Sequence, residues 1–236
     1  MEFRLIYRGS LPAQNSGGGG GLSKEKHAIR KDLHKQLAVL WKEHPMLSRW
    51  IEKTITIQEA GETRIFSGAE EMASHHASFG FNWLPLVRED LGIAVGLDIV
   101  FLRRDAPGRI IGGGGDIDNR LKVLFDALRK PKNPEEVAGF VPEDGENPFF
   151  CLLEDDLLIN DVRITTDRLL TPLLTGEAKN DVFLMIHVRT IVVDSERAYI
   201  EFYQTFLRWP RSKGYWPPCM NQSRLWCSWR RLLAFV

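Results

Sequence analysis

The run from Ile93 to Leu102 constrains the fold most, because it is the strongest strand signal in the chain. It reads Ile-Ala-Val-Gly-Leu-Asp-Ile-Val-Phe-Leu, and a polar connection with Pro107 and Gly108 ends it. A short helix is predicted next, from about Asn119 to Arg129, with its apolar stripe formed by Leu121, Leu124, Phe125 and Leu128. A buried strand followed by an amphipathic helix predicts helices packed on a sheet.

Other segments extend this pattern. A long helix is predicted from Ser23 to about Glu43, and its apolar stripe consists of Ile29, Leu33, Leu37, Leu40 and Trp41. A hairpin is predicted from Trp50 to Phe66 with its turn at Ala60-Gly61. Further strands are predicted at Glu2 to Tyr7, Phe149 to Leu153, Asp161 to Thr166 and Val182 to Thr190. We therefore expect an α+β fold in which two main helices pack on a mixed sheet. Residues 1–193 are expected to form one domain, and residues 194–236 a C-terminal extension rich in Trp and Arg.

The formal net charge of the 236 residues is zero, but the charges are segregated. Ser23 to Lys53 has eight Lys or Arg against four Asp or Glu, whereas Glu135 to Asp161 has nine carboxylates and no Lys or Arg. An acidic centre beside basic segments favours a cation site and a polyanionic substrate.

Three features indicate the environment of the chain. Its three cysteines form no Cys-x-x-Cys pair, so we expect neither a zinc site nor a disulfide partner. No apolar run approaches the ~20 residues of a membrane-spanning helix. Because the N-terminus lacks the pattern of a secretion signal, a cytoplasmic location without membrane partners is expected. The five-glycine run at Gly17 to Gly21 is expected to be a loop, with no Gly-Lys-Ser/Thr of a phosphate-binding loop after it.

Two groups of carboxylates are the candidate chemical centre. Asp116 and Asp118 precede the short helix, and Glu154-Asp155-Asp156 follows a short apolar run. Carboxylate oxygens suit Mg²⁺, and Lys122 lies one helical turn after Asp118, where it could contact a phosphate. An Asp-x-Asp pair alone is more often a helix cap and a loop residue, and a sugar-nucleotide transferase is an alternative for such a pair.

The segment Gly115-Asp-Ile-Asp-Asn-Arg-Leu-Lys-Val-Leu-Phe-Asp-Ala-Leu128 resembles the signature of the RusA-like Holliday-junction resolvases. That signature is Asp-x-Asp-Asn-x-x-Lys-x-x-x-Asp-Ala-Leu, followed by a strand that ends in Asp-Asp, here Asp155-Asp156. The likeness covers about residues 93–190. It implies a RusA-like fold and a dimeric, Mg²⁺-dependent endonuclease that cuts branched DNA in recombination and repair, with Mn²⁺ as an alternative cation.

The same resemblance assigns roles to residues. It implies that Asp116, Asp118 and Asp156 are metal ligands and that Lys122 is the essential lysine, while Asp155 is a further candidate ligand. Asp126 also matches the signature, without a defined role. The arginines expected to contact DNA phosphates are Arg103, Arg104, Arg109 and Arg120.

Three departures from the family concern the substrate. The segment from Lys130 to Asn147 is longer and more acidic than the family's loop, so we expect it to be a surface excursion that repels DNA. Leu158 replaces a common glutamine, and the chain is about twice the family's usual length. Two alternative functions stay open, a non-catalytic nucleic-acid-binding protein on the same fold and a metal-dependent phosphohydrolase acting on small nucleotides. The pair His75-His76 is expected to lie in a polar loop.

Overall fold

The computed structural model describes residues 1–14, 22–59, 62–104, 117–170 and 181–195. The predicted glycine loop and nearly all of the C-terminal extension lie outside these ranges. The presence of both helices and sheets confirms the predicted α+β class. The elements follow one another as β1 (Glu2–Ser10), α1 (Ser23–Glu43), α2 (Ser48–Glu52), β2 (Thr54–Glu59), β3 (Glu62–Ser67), α3 (Gly68–His75), β4 (Ala77–Ser78), β5 (Phe81–Val87), β6 (Ile93–Arg103), α4 (Ile117–Leu128), β7 (Phe149–Leu153), β8 (Ile159–Arg168) and β9 (Asp181–Val192).

The largest sheet has four strands in the order β1, β9, β6 and β8. Strand β9 pairs antiparallel with both β1 and β6, whereas β6 and β8 are parallel, so the sheet is mixed as predicted. Strand β6 lies inside the sheet, and its alternate side chains from Val95 to Phe101 are buried on one face. A parallel pair requires a crossover connection, and the chain passes through α4 and β7 before it returns as β8.

Helices α1 and α4 cover the inner face of this sheet. Most side chains of the two predicted stripes are buried, with Leu40 of α1 partly buried, and one core cluster joins them to β6 and β9. Each fully buried leucine or isoleucine side chain contributes roughly 1.5–3 kcal/mol to the stability of the fold through the hydrophobic effect. Helix α4 begins at Ile117, earlier than predicted, and Phe125 of its predicted stripe is only partly buried.

The segment between α4 and β7 is mostly exposed, as the sequence predicted, but a few buried residues anchor it to the core. Val137 is 2% exposed and belongs to a second apolar cluster, formed with Phe81, Trp83, Phe149 and Cys151. Cys151 is thus a buried free thiol. The segment packs against α1 through apolar and charged contacts. His27 of α1 stacks on Phe140, and Arg30 of α1 forms an ion pair with Glu136. A parallel pair, β5 with β7, carries this cluster at its centre.

A hairpin forms between β2 and β3, and its turn residues 60 and 61 lie outside the described residues. Helix α3 follows it directly and was not predicted. The prediction that His75-His76 lies in a polar loop is therefore wrong, because His75 is the last residue of α3 and His76 is its C-cap. Among the described helices, none has the length and apolar character needed to span a membrane.

Candidate functional site

The first candidate group lies on the exposed first turns of α4. Asp118 is the second residue of the helix, and Lys122 follows four residues later on the same face. Lys122 Nζ lies 3.9 Å from Asp118 Oδ2, and the two side chains are 62% and 63% exposed. Asp116, directly before α4, lies outside the described residues. This end of α4 thus presents a solvent-accessible carboxylate and ammonium side by side, which can meet a metal ion and a phosphate together.

The second candidate group follows β7. Asp155 caps a short 3-10 helix at Asp156–Leu158, since its carboxylate accepts a hydrogen bond of 2.9 Å from the Leu157 amide. Lys132 Nζ lies 3.0 Å from Asp155 and 2.6 Å from Asp156 Oδ1. Burial alone would raise the pKa of Asp155, but the Leu157 amide, the neighbouring Asp156 and Lys132 together lower it. The carboxylate of Asp155 is therefore held in the ionised form.

The two groups lie at opposite ends of α4. Asp156 Oδ1 is 3.7 Å from Nε of Arg129, the residue after the helix, whereas Asp118 is in the first turn. Ten helical residues at 1.5 Å each separate these ends by about 15 Å along the helix axis. Within the described ranges, no three His, Cys, Asp or Glu side chains are grouped so that they could hold a metal ion. Each group supplies carboxylate oxygens of the kind that Mg²⁺ takes, one or two at a time, with water or phosphate as the other ligands.

A further charged cluster lies beside Asp155. Lys130 Nζ is 3.0 Å from Glu154 Oε1 and 3.4 Å from His76 Nδ1. Burial lowers the pKa of His76, and the nearby Glu154 carboxylate partly offsets this effect. The imidazole of His76 is therefore neutral over a wider pH range than that of an exposed histidine. Sequence reasoning did not find Lys130 or Lys132, and it placed His76 in a polar loop rather than in this cluster. The sequence contained one signal for these lysines, Lys130-Pro131-Lys132. The residue before a proline is extended, and alternate residues of an extended segment point to the same side, so the two lysines are expected on one side of the chain.

Asp126, the acid of the signature without a defined role, is part of a buried ionic network. Its carboxylate lies 2.7 Å from Lys26 Nζ and 2.5 Å from Arg129 Nη2. Burial would raise the pKa of Asp126, but the hydrogen bond from Lys26 and the nearby Arg129 lower it. Glu136 continues the network, 3.0 Å from both Arg129 and Arg30. These contacts join α1, α4 and the following segment, so Asp126 has a structural position here.

The four candidate arginines are placed differently. Arg103 and Arg120 are 7% and 5% exposed, and Arg120 donates a hydrogen bond to the Leu11 carbonyl. Neither guanidinium is therefore on the described surface, where it could reach a DNA phosphate. Arg104 lines a cleft of about 240 Å³ where the ends of β1, β8 and β9 meet. Arg109 lies outside the described residues.

Comparisons with protein-family models, with curated proteins and with solved structures each gave no match for this chain. The family likeness therefore depends on the signature residues themselves.

Proposed function

We propose that this chain is a Mg²⁺-dependent endonuclease that hydrolyses phosphodiester bonds in branched DNA. The observation that supports this best is the exposed pair of Asp118 and Lys122 on the first turns of α4, directly after Asp116. Metal-dependent phosphodiester hydrolysis uses a carboxylate that holds the metal and a cation that stabilises charge on the phosphate. The signature supplies both, and the helix orients them toward solvent.

In this proposal, Asp116 and Asp118 hold the metal at the start of α4, and Lys122 contacts a non-bridging phosphate oxygen of the substrate. A bound Mg²⁺ lowers the pKa of its water and screens the charge of the transition state. Asp155 and Asp156 supply a second pair of carboxylates, about one helix length away in this structure. Arg104 directly follows β6, and in the sequence Arg109 belongs to the same connection to α4; both arginines would contact the DNA backbone. In a homodimer, two such centres would make paired nicks in opposing strands.

Cleavage of a synthetic four-way junction by the purified full chain tests the proposal. Wild-type protein should cut the junction with Mg²⁺ or Mn²⁺ and not with EDTA. Asp116→Asn and Asp118→Asn should each abolish cutting, because the neutral amide of asparagine binds a divalent cation more weakly than the charged carboxylate of aspartate. Asp144→Asn, an exposed acid far along the chain, is the matched control and should cut as wild type does. Absence of cutting by the wild type, or equal cutting by all four proteins, would refute the proposal.

Two observations favour a second candidate, a nucleic-acid-binding protein on the same fold that does not cleave. Asp118 and Asp156 do not converge in this structure, and a protein cation already binds the Asp155-Asp156 pair. This candidate predicts junction binding of equal affinity with Mg²⁺ and with EDTA, and no product in either. A phosphohydrolase of small nucleotides is separated from both by competition, since mononucleotides would then inhibit and a junction would not.

A further inference from the structure

Strand β8 leaves one edge of the four-stranded sheet open. It is the last strand in the order β1, β9, β6 and β8, and among the described strands it pairs only with β6. The Leu169 amide donates a 2.7 Å hydrogen bond to the Arg103 carbonyl, so the odd-numbered residues of β8 direct their backbone groups toward β6. The even-numbered residues, such as Ile164 and Thr166, direct theirs away from the sheet, where no described strand pairs with them.

The opposite edge of the sheet is blocked. Gln36 of α1 reaches β1, where its side-chain oxygen accepts a 2.9 Å hydrogen bond from the Ile6 amide and its nitrogen donates a 2.6 Å hydrogen bond to the Ile6 carbonyl. This side chain takes the place of a neighbouring strand at Ile6. An edge strand that lacks such a cap is a template for pairing with another chain. Seven of the ten residues of β8 are exposed, so a second chain can reach the strand along most of its length.

We propose that β8 pairs antiparallel with β8 of a second copy of this chain, around a twofold axis at Thr165. The axis stands normal to the sheet and keeps its faces continuous, so odd-numbered residues lie opposite odd-numbered ones. Arg163 then lies opposite Asp167 of the second copy, and this contact occurs twice. It falls at pairs without backbone hydrogen bonds, where opposite side chains are closest, while Ile164 and Thr166 exchange backbone hydrogen bonds with the second copy. The two four-stranded sheets become one sheet of eight strands.

The charges of β8 favour this register over its symmetric neighbours. An axis at Arg163 or at Asp167 would place that side chain opposite its own copy, and like charges directly opposite each other are destabilising. An axis at Ile164 would place Asp161 opposite Asp167, with the same result. In the described parts of the chain, neither Arg163 nor Asp167 forms an ion pair, so both are available to a second copy.

Two further registers are less suitable. An axis at Thr166 places no opposite charges together. An axis at Val162 would pair Arg163 with Asp161, but Asp161 Oδ2 already lies 2.9 Å from Arg189 of the same chain. That register also needs the start of β8, where the pairing with β6 is irregular just before Asp161. The inference goes beyond the expectation of a dimer because it assigns the interface and its register, and it does not depend on nuclease activity.

Reversal of the two charges tests the pairing. In Arg163→Asp and in Asp167→Arg, like charges face each other twice per dimer, so each variant should have a dissociation constant about tenfold or more above that of the wild type. An equimolar mixture of the two variants should associate within about threefold of the wild type, because each acidic strand then faces a basic one. The double variant Arg163→Asp/Asp167→Arg should recover in the same way. The Asp167→Arg result also excludes the axis at Val162, which leaves Asp167 outside the paired strands.

Sedimentation velocity of the full chain over a range of concentrations measures these constants. The matched control is Arg4→Asp, which reverses an exposed arginine of β1 at the other edge of the sheet and should dimerise as the wild type does. Circular dichroism melting shows whether each variant is folded.

A disulfide at the axis tests the register directly. Thr165 lies opposite its own copy in a pair without backbone hydrogen bonds, with ~4.5 Å between the Cα atoms, which a disulfide can span. Oxidation of Thr165→Cys should therefore give a covalent dimer. Asn160→Cys is the matched control, because this exposed residue of the same strand would lie about 30 Å from its own copy. The wild type reports the background from the native cysteines.

A wild type that stays monomeric over the whole concentration range overturns the inference, whether the edge is then free or covered by a segment of the same chain. A dimer that neither single charge reversal weakens also overturns it, because the interface would lie elsewhere. A loss that the mixture does not restore shows that the register is wrong. The proposed nuclease activity fails separately. Paired strands without junction cutting refute the function alone, and junction cutting by a monomer refutes the pairing alone.

Discussion

Substitution of His27 by Phe should change how the stability of this protein depends on pH. His27 is 1% exposed, and its ring stacks on Phe140 with centroids 4.5 Å apart and planes 8° apart. Neither ring nitrogen has a hydrogen-bond partner within the described part of the chain. Burial lowers the pKa of His27 to about 4, and the neighbouring Arg30 lowers it further in the same direction. The folded protein thus keeps this imidazole neutral where an exposed histidine would be protonated.

The magnitude follows from proton linkage. In the unfolded chain, the pKa of His27 returns to about 6.5, so between pH 6.5 and pH 4 the unfolded state binds a proton that the folded state does not. Above pH 6.5, His27 is neutral in both states and does not lower the stability of the fold. As the pH falls from 6.5 toward 4, the folded state loses stability relative to the unfolded state. At 1.36 kcal/mol per pKa unit, the shift corresponds to a loss of about 3 kcal/mol in the free energy of unfolding. A phenylalanine does not titrate and keeps the stacked geometry.

Urea unfolding, monitored by circular dichroism at intervals from pH 7.5 to pH 4.0, measures this difference. Other groups titrate in the same range, but their contribution is shared by both proteins and cancels in the comparison. The stability of His27→Phe relative to wild type should rise by about 3 kcal/mol as the pH falls over this range. His27→Gln, which also does not titrate, should show the same rise if phenylalanine is too large for the space. Parallel pH profiles for the wild type and both variants would refute the reasoning.

Three further outcomes are expected. Glu136→Gln should lower the free energy of unfolding by about 3–5 kcal/mol, because it leaves Arg30 and Arg129 buried without their shared carboxylate; a loss below 1 kcal/mol in urea would contradict this role. Leu97→Ala in β6 should cost about 2–5 kcal/mol by the same assay, since the side chain is fully buried in the main core, and a surface-like effect would argue against the placement of that strand. Asp118→Asn should change stability by no more than about 0.5 kcal/mol, because the side chain is exposed, so any loss of cleavage is chemical; a large drop in melting temperature would show otherwise.

Local periodicity was sufficient to predict the elements that build the core. The alternation in β6 and the helical stripes of α1 and α4 each depend on residues a few positions apart, and burial followed these patterns. Helix α3 was missed although its start carries a capping box. The Ser67 hydroxyl accepts a hydrogen bond from the Glu70 amide, and the Glu70 carboxylate accepts one from the Ser67 amide. The signal was therefore present in Ser67-x-x-Glu70, within a region assigned to a hairpin and a polar loop.

The candidate site was predictable only where its geometry is local. Asp118 and Lys122 are neighbours because a helix brings residues four positions apart together. The pairing of Lys132 with Asp155 and Asp156 depends instead on the path of more than twenty residues between them, which no local pattern specifies. The signature implied that the two carboxylate groups converge, whereas the structure places Asp118 and Asp156 at opposite ends of α4.

The segregated charges of the sequence have a different meaning in the folded protein. Acidic residues between α4 and β7 bind basic residues of α1, since Lys31 contacts Glu143 and Glu146 while Arg30 contacts Glu136. The expectation that this acidic segment repels DNA assumed that its carboxylates are free, whereas these three are paired with two cations more than a hundred residues earlier in the chain. Because a paired carboxylate produces a much weaker field than a free one at the distance of a phosphate backbone, this segment is a smaller barrier to a polyanionic substrate than its composition indicates.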